Sequence, residues 1–65
     1  MTPRDARLVL GQERGTPFEQ HLIAAMRVAT WVDLQHLAAG WPDLVNVFLL
    51  YQDNPEQVRL MARRG

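Results

Sequence analysis

The chain has 65 residues, no net charge and no cysteine. A chain of this length supports one core, which rarely supplies more than about 3–5 kcal/mol without a disulfide, a metal or a partner. The lack of cysteine excludes disulfides and thiolate metal sites, and zero net charge leaves no general attraction to nucleic acid. We therefore predict a single small domain over residues 1–65.

All seven cationic residues are arginine, and the charges are unevenly distributed. The coding bias of a GC-rich genome would explain the absence of lysine, as would a need for bidentate contacts to carboxylate or phosphate. Between Arg27 and Arg59 there are three aspartates and no cation, whereas the last twelve residues carry three arginines and one glutamate. The segregation separates an acidic, apolar middle from a basic end.

No part of the sequence is suited to a membrane. The longest apolar stretch, Leu44 to Tyr51, has about eight residues, far fewer than the roughly 20 of a membrane span. The residues after Met1 also lack the apolar segment of a signal peptide. We predict a cytoplasmic protein with no membrane partner.

Helix starts are the clearest local signals. Segments 2–5 (TPRD) and 16–19 (TPFE) each place threonine at the N-cap, proline at the first helical position and an acid two residues later. The hydroxyl accepts a free backbone N–H, proline fixes φ, and the acid is favoured at the positive helix end. Segment 54–57 (NPEQ) is a third such pattern. Gly15 is predicted to end the first helix, as a left-handed residue after its last turn.

The region after Pro17 allows two interpretations. Thr30 is either a fourth N-cap, which divides the region into helices of about 17–29 and 31–39, or part of one long helix from Pro17 to Ala39. The apolar stripe through Leu22 and Met26 would reach an acid at Asp33. That mismatch favours a break near Thr30.

The next segment begins after Gly40, because the residue before Pro42 is pushed out of the α region. Residues 44–51 are apolar enough for a buried helix or a buried strand, and periodicity alone does not distinguish them. A strand would have nothing to pair with, so we predict a central buried helix from Pro42 to about Tyr51, ended by residues 52–53. A last helix runs from Pro55 to about Arg64. The predicted fold is all-α, a compact bundle of four or five short helices.

The sequence offers no catalytic constellation. His21 and His36 are not spaced as a pair on one helical face, and no serine or glycine-rich phosphate loop is present. Catalysis needs several functional groups whose positions are fixed to within about half an ångström. We find no set of residues in the sequence that could form such a group. We predict a protein that is not an enzyme, with no catalytic or metal-binding residue, no cofactor and no small-molecule substrate.

Nucleic-acid binding is the alternative function. Segment 33–44 has the order helix, glycine-containing turn, helix, in which the second helix would enter the major groove. Asp43 at the start of that helix and its nearly continuous apolar surface argue against this use. Arg59, Arg63 and Arg64 form a better phosphate site, although arginines at a helix C-terminus also stabilise the helix dipole. The alternative is a small transcriptional regulator that contacts nucleic acid through these three arginines.

Aromatic residues are concentrated in the cation-free middle of the chain. The two tryptophans are either ordinary core residues or, for at least one, part of an exposed patch with Leu44 or Phe48. We expect Trp41 to stay partly exposed because it precedes Pro42 in a connection between helices. Exposed apolar patches mark association sites, and tryptophan and tyrosine are enriched at interface hot spots. We therefore predict a protein-binding module that self-associates or docks on a partner protein as an adaptor, inhibitor or assembly subunit. The predicted interface consists of Trp31, Trp41, Leu44, Phe48 and Tyr51.

Overall fold

The computed structural model describes residues 2–64, which form five α-helices and no strand. The helices are α1 (Pro3–Leu10), α2 (Pro17–Val28), α3 (Trp31–Gly40), α4 (Pro42–Asp53) and α5 (Pro55–Ala62). The predicted all-α bundle is confirmed, with five helices rather than four. Within the described residues, no helix has the length and apolar character that crossing a membrane requires.

The first three helices begin with the same reciprocal hydrogen bonds. In each, a threonine hydroxyl accepts the backbone N–H of an acidic residue three positions later, and that carboxylate accepts the threonine N–H. Asn54 caps α5 by accepting the Gln57 N–H at 3.3 Å. The break near Thr30 is therefore real, because a capping box separates α2 from α3. The capping pairs are Thr2–Asp5, Thr16–Glu19 and Thr30–Asp33.

The end of the first helix differs from the prediction. Helix α1 stops at Leu10, and Gly11, not Gly15, is the left-handed residue that follows it, with φ of 78°. Gly15 is also left-handed, with φ of 73°, but it lies directly before the Thr16 cap. Segment 11–15 (GQERG) has no apolar side chain to bury, so the helix ends where its apolar face ends.

The last two helices also differ slightly in length from the prediction. Helix α4 continues to Asp53, two residues beyond Tyr51, and ends where the Asn54 N–H donates to the Leu50 carbonyl at 2.6 Å. Helix α5 ends at Ala62, short of Arg64. Asn54 ends α4 and caps α5 at once, so the two helices share a one-residue junction.

Helix α4 is the centre of the bundle, as predicted. It packs against α1, α3 and α5, and four of its side chains are buried. Helix α2 adds three side chains to the same core, including Met26, which is almost fully buried. Burying a side chain of this size removes it from water at a gain of about 1.5–3 kcal/mol. The buried residues of α4 are Leu44, Val45, Val47 and Phe48.

Ion pairs connect α1 to α2 and to the loop between them, and one hydrogen bond of the same network connects α1 to α5. Arg4 donates from both terminal nitrogens to the Glu19 carboxylate, at 2.7 and 2.8 Å, and its Nε lies 2.9 Å from Glu13. Arg7 donates to Glu13 at 3.2 Å and to the Ala62 carbonyl at the end of α5, also at 3.2 Å. Two cations and two anions therefore compensate one another in this network.

The ion-pair network changes the pKa values of Glu19 and Arg4. The Arg4 guanidinium, helped by the Thr16 backbone N–H, lowers the pKa of Glu19 to about 2. The same contact raises the pKa of Arg4 above its ordinary value. Glu19 therefore has two functions, since its carboxylate caps α2 and holds α1 beside it.

Candidate protein-binding surface

The structure divides the predicted interface into exposed and buried residues. Trp31 and Trp41 are 61% and 42% exposed, so the expectation that Trp41 stays partly exposed is confirmed. Leu44 and Phe48 are only 6% exposed, and the expectation that they lie open on the surface is wrong. Helix α4 is apolar on most sides, and Leu44 and Phe48 lie on the side that packs into the core. Tyr51 is half-buried against the same core.

Trp41 is held in place by the backbone of the α3–α4 junction. Its N–H donates to the Leu37 carbonyl at 2.8 Å, and its carbonyl accepts the Val45 N–H at 3.1 Å. Trp41 is thus both the C-cap residue of α3 and the N-cap residue of α4. Pro42, at the first position of α4, fixes the backbone that follows. The indole is therefore attached to a junction with little freedom to move.

Phe18 is an exposed aromatic residue that the predicted interface omitted. Its ring lies against Trp41, with centroids 5.4 Å apart and planes inclined by 44°, a common arrangement for an aromatic pair. Phe18 is 56% exposed even though it lies on the same helical stripe as Leu22 and Met26. That stripe predicts burial, and only the position of Phe18 in the first turn of α2, at the edge of the core, signals otherwise.

The aromatic pair borders an open cleft of about 410 Å³ between the start of α2 and the α3–α4 junction. Leu22 and Leu44 line it together with Phe18 and Trp41, so Leu44 is buried yet forms part of the cleft wall. We call these four residues the aromatic cleft. The carboxylates of Asp5, Glu19 and Asp43 also line it, and that of Glu19 is fixed by Arg4. The Glu19 side of the aromatic cleft is therefore charged but already compensated by Arg4.

A second group of exposed apolar side chains surrounds the α2–α3 junction. Val28, Trp31 and Val32 are all exposed, Val28 to 84%. Trp31 also borders a smaller cavity of about 170 Å³ between α3 and α4, where Leu34 and Leu49 are among the lining residues. We call Val28, Trp31 and Val32 the junction patch. The junction patch and the aromatic cleft consist of different residues, and each is accessible without the other.

The structure gives little support to α4 as a DNA-reading helix. Four of its side chains are buried in the core, and its exposed residues include Asp43 and Asn46. Among the C-terminal arginines, Arg59 pairs with Glu56. Arg63 and Arg64 are exposed and form no ion pair within residues 2–64. These two arginines are the part of the alternative interface that stays accessible.

The two histidines lie on the surface, as the sequence predicts. His21 is exposed on α2 and His36 on α3. Within residues 2–64, no cluster of three or more histidine, aspartate or glutamate side chains is arranged to hold a metal ion.

The chain matches no protein-family model, no curated protein and no solved structure.

Proposed function

We propose that this chain is a protein-binding module that docks a partner protein on the aromatic cleft, as an adaptor, an inhibitor or an assembly subunit. The exposed Phe18–Trp41 pair carries this proposal. A 65-residue chain has few large apolar side chains with which to build a core, yet it leaves these two in solvent. Aromatic residues beside a cleft are typical anchors of protein interfaces.

The chemistry of the aromatic cleft favours an apolar side chain of the partner. Leu22 and Leu44 provide an apolar base, and the rings of Phe18 and Trp41 provide the rim. Of the three carboxylates that line the cleft, that of Glu19 accepts two hydrogen bonds from Arg4 and that of Asp5 accepts the Thr2 N–H, which reduces the cost of desolvating these two groups. Because Trp41 is held by a short junction, binding would order few additional side chains.

A partner would also stabilise the chain itself. Small domains bury a low fraction of their surface, so their folding free energy is modest. Any ligand that binds only the folded state adds RT ln(1 + [L]/Kd) to that free energy. The exposed aromatic pair is then consistent with a domain that reaches its full stability in a complex.

The first test is the solution mass of the chain at several concentrations, by light scattering after size-exclusion chromatography. Formation of a dimer or larger species that Phe18→Ala and Trp41→Ala each weaken would support self-assembly through the aromatic cleft. Leu60→Ala is the matched control, because Leu60 is an equally exposed apolar residue on another helix. Thermal unfolding of each variant shows that the fold is retained.

If the chain is monomeric at every concentration, a foreign partner is sought by capture from its native host. The proposal then requires a captured protein that wild type and Leu60→Ala retain and Trp41→Ala loses. Partner binding that survives the double change Phe18→Ala and Trp41→Ala would contradict the aromatic cleft as the interface.

Arg63 and Arg64 support nucleic-acid binding as a second candidate, because both are exposed beyond the end of α5. Binding of this kind would weaken steeply as salt is raised, since each phosphate contact releases counterions. It would be lost in the double variant Arg63→Gln and Arg64→Gln and kept in Trp41→Ala. A salt-titrated oligonucleotide binding assay on these two variants separates the candidates.

A further inference from the structure

A second cavity, of about 420 Å³, lies between the end of α1, the loop that follows it and the outer side of α2. It has no lining residue in common with the aromatic cleft. Two arginines and two glutamines supply most of its polar groups, and two leucine-sized apolar side chains supply its base. We call it the arginine cavity, lined by Leu8, Gln12, Arg14, Gln20, Ile23 and Arg27.

The two arginines of this cavity differ from those of the ion-pair network. Arg4, Arg7 and Arg59 each lie within hydrogen-bond distance of a carboxylate. Arg14 and Arg27 are exposed and form no ion pair within residues 2–64. Two arginines that have no carboxylate partner of their own among the described residues therefore line one cavity.

Glu13 also lines the arginine cavity but does not neutralise it. One of its carboxylate oxygens lies 2.9 Å from Arg4 Nε, and the other accepts from Arg7 Nε at 3.2 Å. Because Arg4 and Arg7 already compensate this carboxylate and Glu19, the cavity keeps a surplus of two positive charges from Arg14 and Arg27.

The loop that carries Arg14 is fixed to the end of α1 by backbone hydrogen bonds. The Gln12 and Glu13 N–H groups both donate to the Arg7 carbonyl, at 2.9 and 3.3 Å. Gln20 Nε2 donates to the Gly15 carbonyl at 3.4 Å, which holds the Gln20 side chain at the wall of the cavity. The arginine cavity is therefore bounded by a short loop with defined hydrogen bonds.

From these observations we propose that the arginine cavity binds a small organic phosphate monoester. Guanidinium groups bind phosphate oxygens bidentately, and two of them match the two charges of a phosphate monoester. A carboxylate would carry only one charge and leave one arginine uncompensated. The Gln12 and Gln20 amides supply further donors, and Leu8 and Ile23 contact the carbon skeleton of the ester.

The test is a titration of the full ¹⁵N-labelled chain with phenyl phosphate, followed by NMR. The expected result is saturable shifts of the Arg14 and Arg27 Nε–H signals and of the backbone amides of 11–14. Arg14→Gln and Arg27→Gln should each weaken binding by about fivefold, the upper range for an exposed ionic contact. Arg64→Gln, which changes an exposed arginine elsewhere, should leave the affinity unchanged.

Two matched ligands test the need for a dianion. Phenylacetate and methyl phenyl phosphate have the same ring but one negative charge, and both should bind more weakly than phenyl phosphate. Equal affinity for all three ligands would overturn the proposal, as would equal losses in Arg14→Gln and Arg64→Gln. Tighter binding of a short oligonucleotide than of phenyl phosphate would also overturn it. None of these results depends on Phe18 or Trp41, so this proposal and the protein-binding function fail separately.

Discussion

Helices α1 and α3 are similar in length, at 8 and 10 residues, but the bundle holds them by different means. Helix α1 buries three side chains and packs against both α4 and α5. It is also tied to its neighbours by the Arg4–Glu19 ion pair and by the hydrogen bond from Arg7 to the Ala62 carbonyl. Helix α3 buries only Leu34 and packs mainly against α4, while Trp31 at its start remains exposed.

The comparison separates two sources of order in a small domain. A capping box starts both helices, so each has a local reason to be helical. Local signals do not by themselves attach a helix to the core, because short isolated helices are marginal in water. Helix α1 has three buried side chains and its Arg4 and Arg7 contacts as tertiary anchors, whereas α3 has one buried side chain, helped by the partly buried Leu37 and Ala38. Helix α3, which has the fewest buried side chains, begins with the more exposed of the two tryptophans. A surface that is free to bind a partner is expected at such a weakly packed element.

The largest expected effect is therefore that of Leu34→Ala. Truncating the single buried side chain of α3 should cost about 2–4 kcal/mol of unfolding free energy. Amide hydrogen exchange should show α3 losing more protection than α1. Val32→Ala, on the exposed side of the same helix, should change stability by less than about 0.5 kcal/mol. Equal losses of protection in α1 and α3 would show that the two helices open together and that the contrast is only geometric.

The second prediction concerns the α1 end of the bundle, where Gly15 lies in the loop that joins α1 to α2. Its φ of 73° disfavours any side chain, and an added Cβ would lie 2.7 Å from a methyl of Leu8 and 2.9 Å from Glu19. Gly15→Ala should cost about 2 kcal/mol, from the left-handed backbone together with these contacts.

Gly11→Ala is the matched control for that change. Gly11 has a similar φ of 78°, but an added Cβ would meet nothing within 4 Å. Denaturant unfolding of both variants should therefore show a loss of about 1 kcal/mol for Gly11→Ala, the backbone cost alone. Equal losses would mean that Leu8 and Glu19 move aside freely and that the α1–α2 joint is less tightly packed than the distances indicate.

The elements of the fold that the sequence predicts are those set by local chemistry. Thr2, Thr16, Thr30 and Asn54 cap helices as predicted, because a cap needs only residues within one turn. The choice between Gly11 and Gly15 as the helix end was missed because both favour a left-handed backbone. Only the packing of the apolar face of α1 decides between them.

The candidate surface was less predictable because exposure depends on distant contacts. Leu44 and Phe48 lie on a helix that is apolar on most sides, and its neighbours decide which of those sides is covered. Phe18 has the spacing of a core residue and is nevertheless exposed against Trp41, which is far away in the chain. Trp41 was predicted correctly because a residue between a helix end and a proline has a local reason to stay partly exposed.

A smaller effect is expected from acid, through the network that anchors α1. The pKa of Glu19 lies at about 2 in the folded chain, below its ordinary value of 4.5. Folding is therefore favoured by the ionised carboxylate, and this contribution is complete above about pH 5 and lost as the pH falls toward 2. The melting temperature of the wild type should decrease across this interval.

Glu19→Gln isolates that contribution, because glutamine keeps the capping hydrogen bond but not the charge. The variant should melt below the wild type at neutral pH and should show a flatter dependence on pH between 5 and 2. Circular dichroism melts at a series of pH values measure both. Parallel curves for the two proteins would show that the contact with Arg4 does not contribute to stability in solution.

The smallest expected effect is a gain in unfolding free energy, produced by a change in α3 that again tests the contrast with α1. Gly40 is the last residue of α3, its φ lies outside the left-handed region, and an added Cβ would meet nothing within 4 Å. Gly40→Ala should then raise the unfolding free energy by about 0.5–1 kcal/mol, because alanine loses less backbone entropy than glycine in a helix. If α3 is the least stable helix, the increase in hydrogen-exchange protection should be confined largely to its own amides. An increase spread evenly over all five helices would instead place α3 in the same cooperative unit as α1, and exposure of Trp31 would then have to be explained without local weakness.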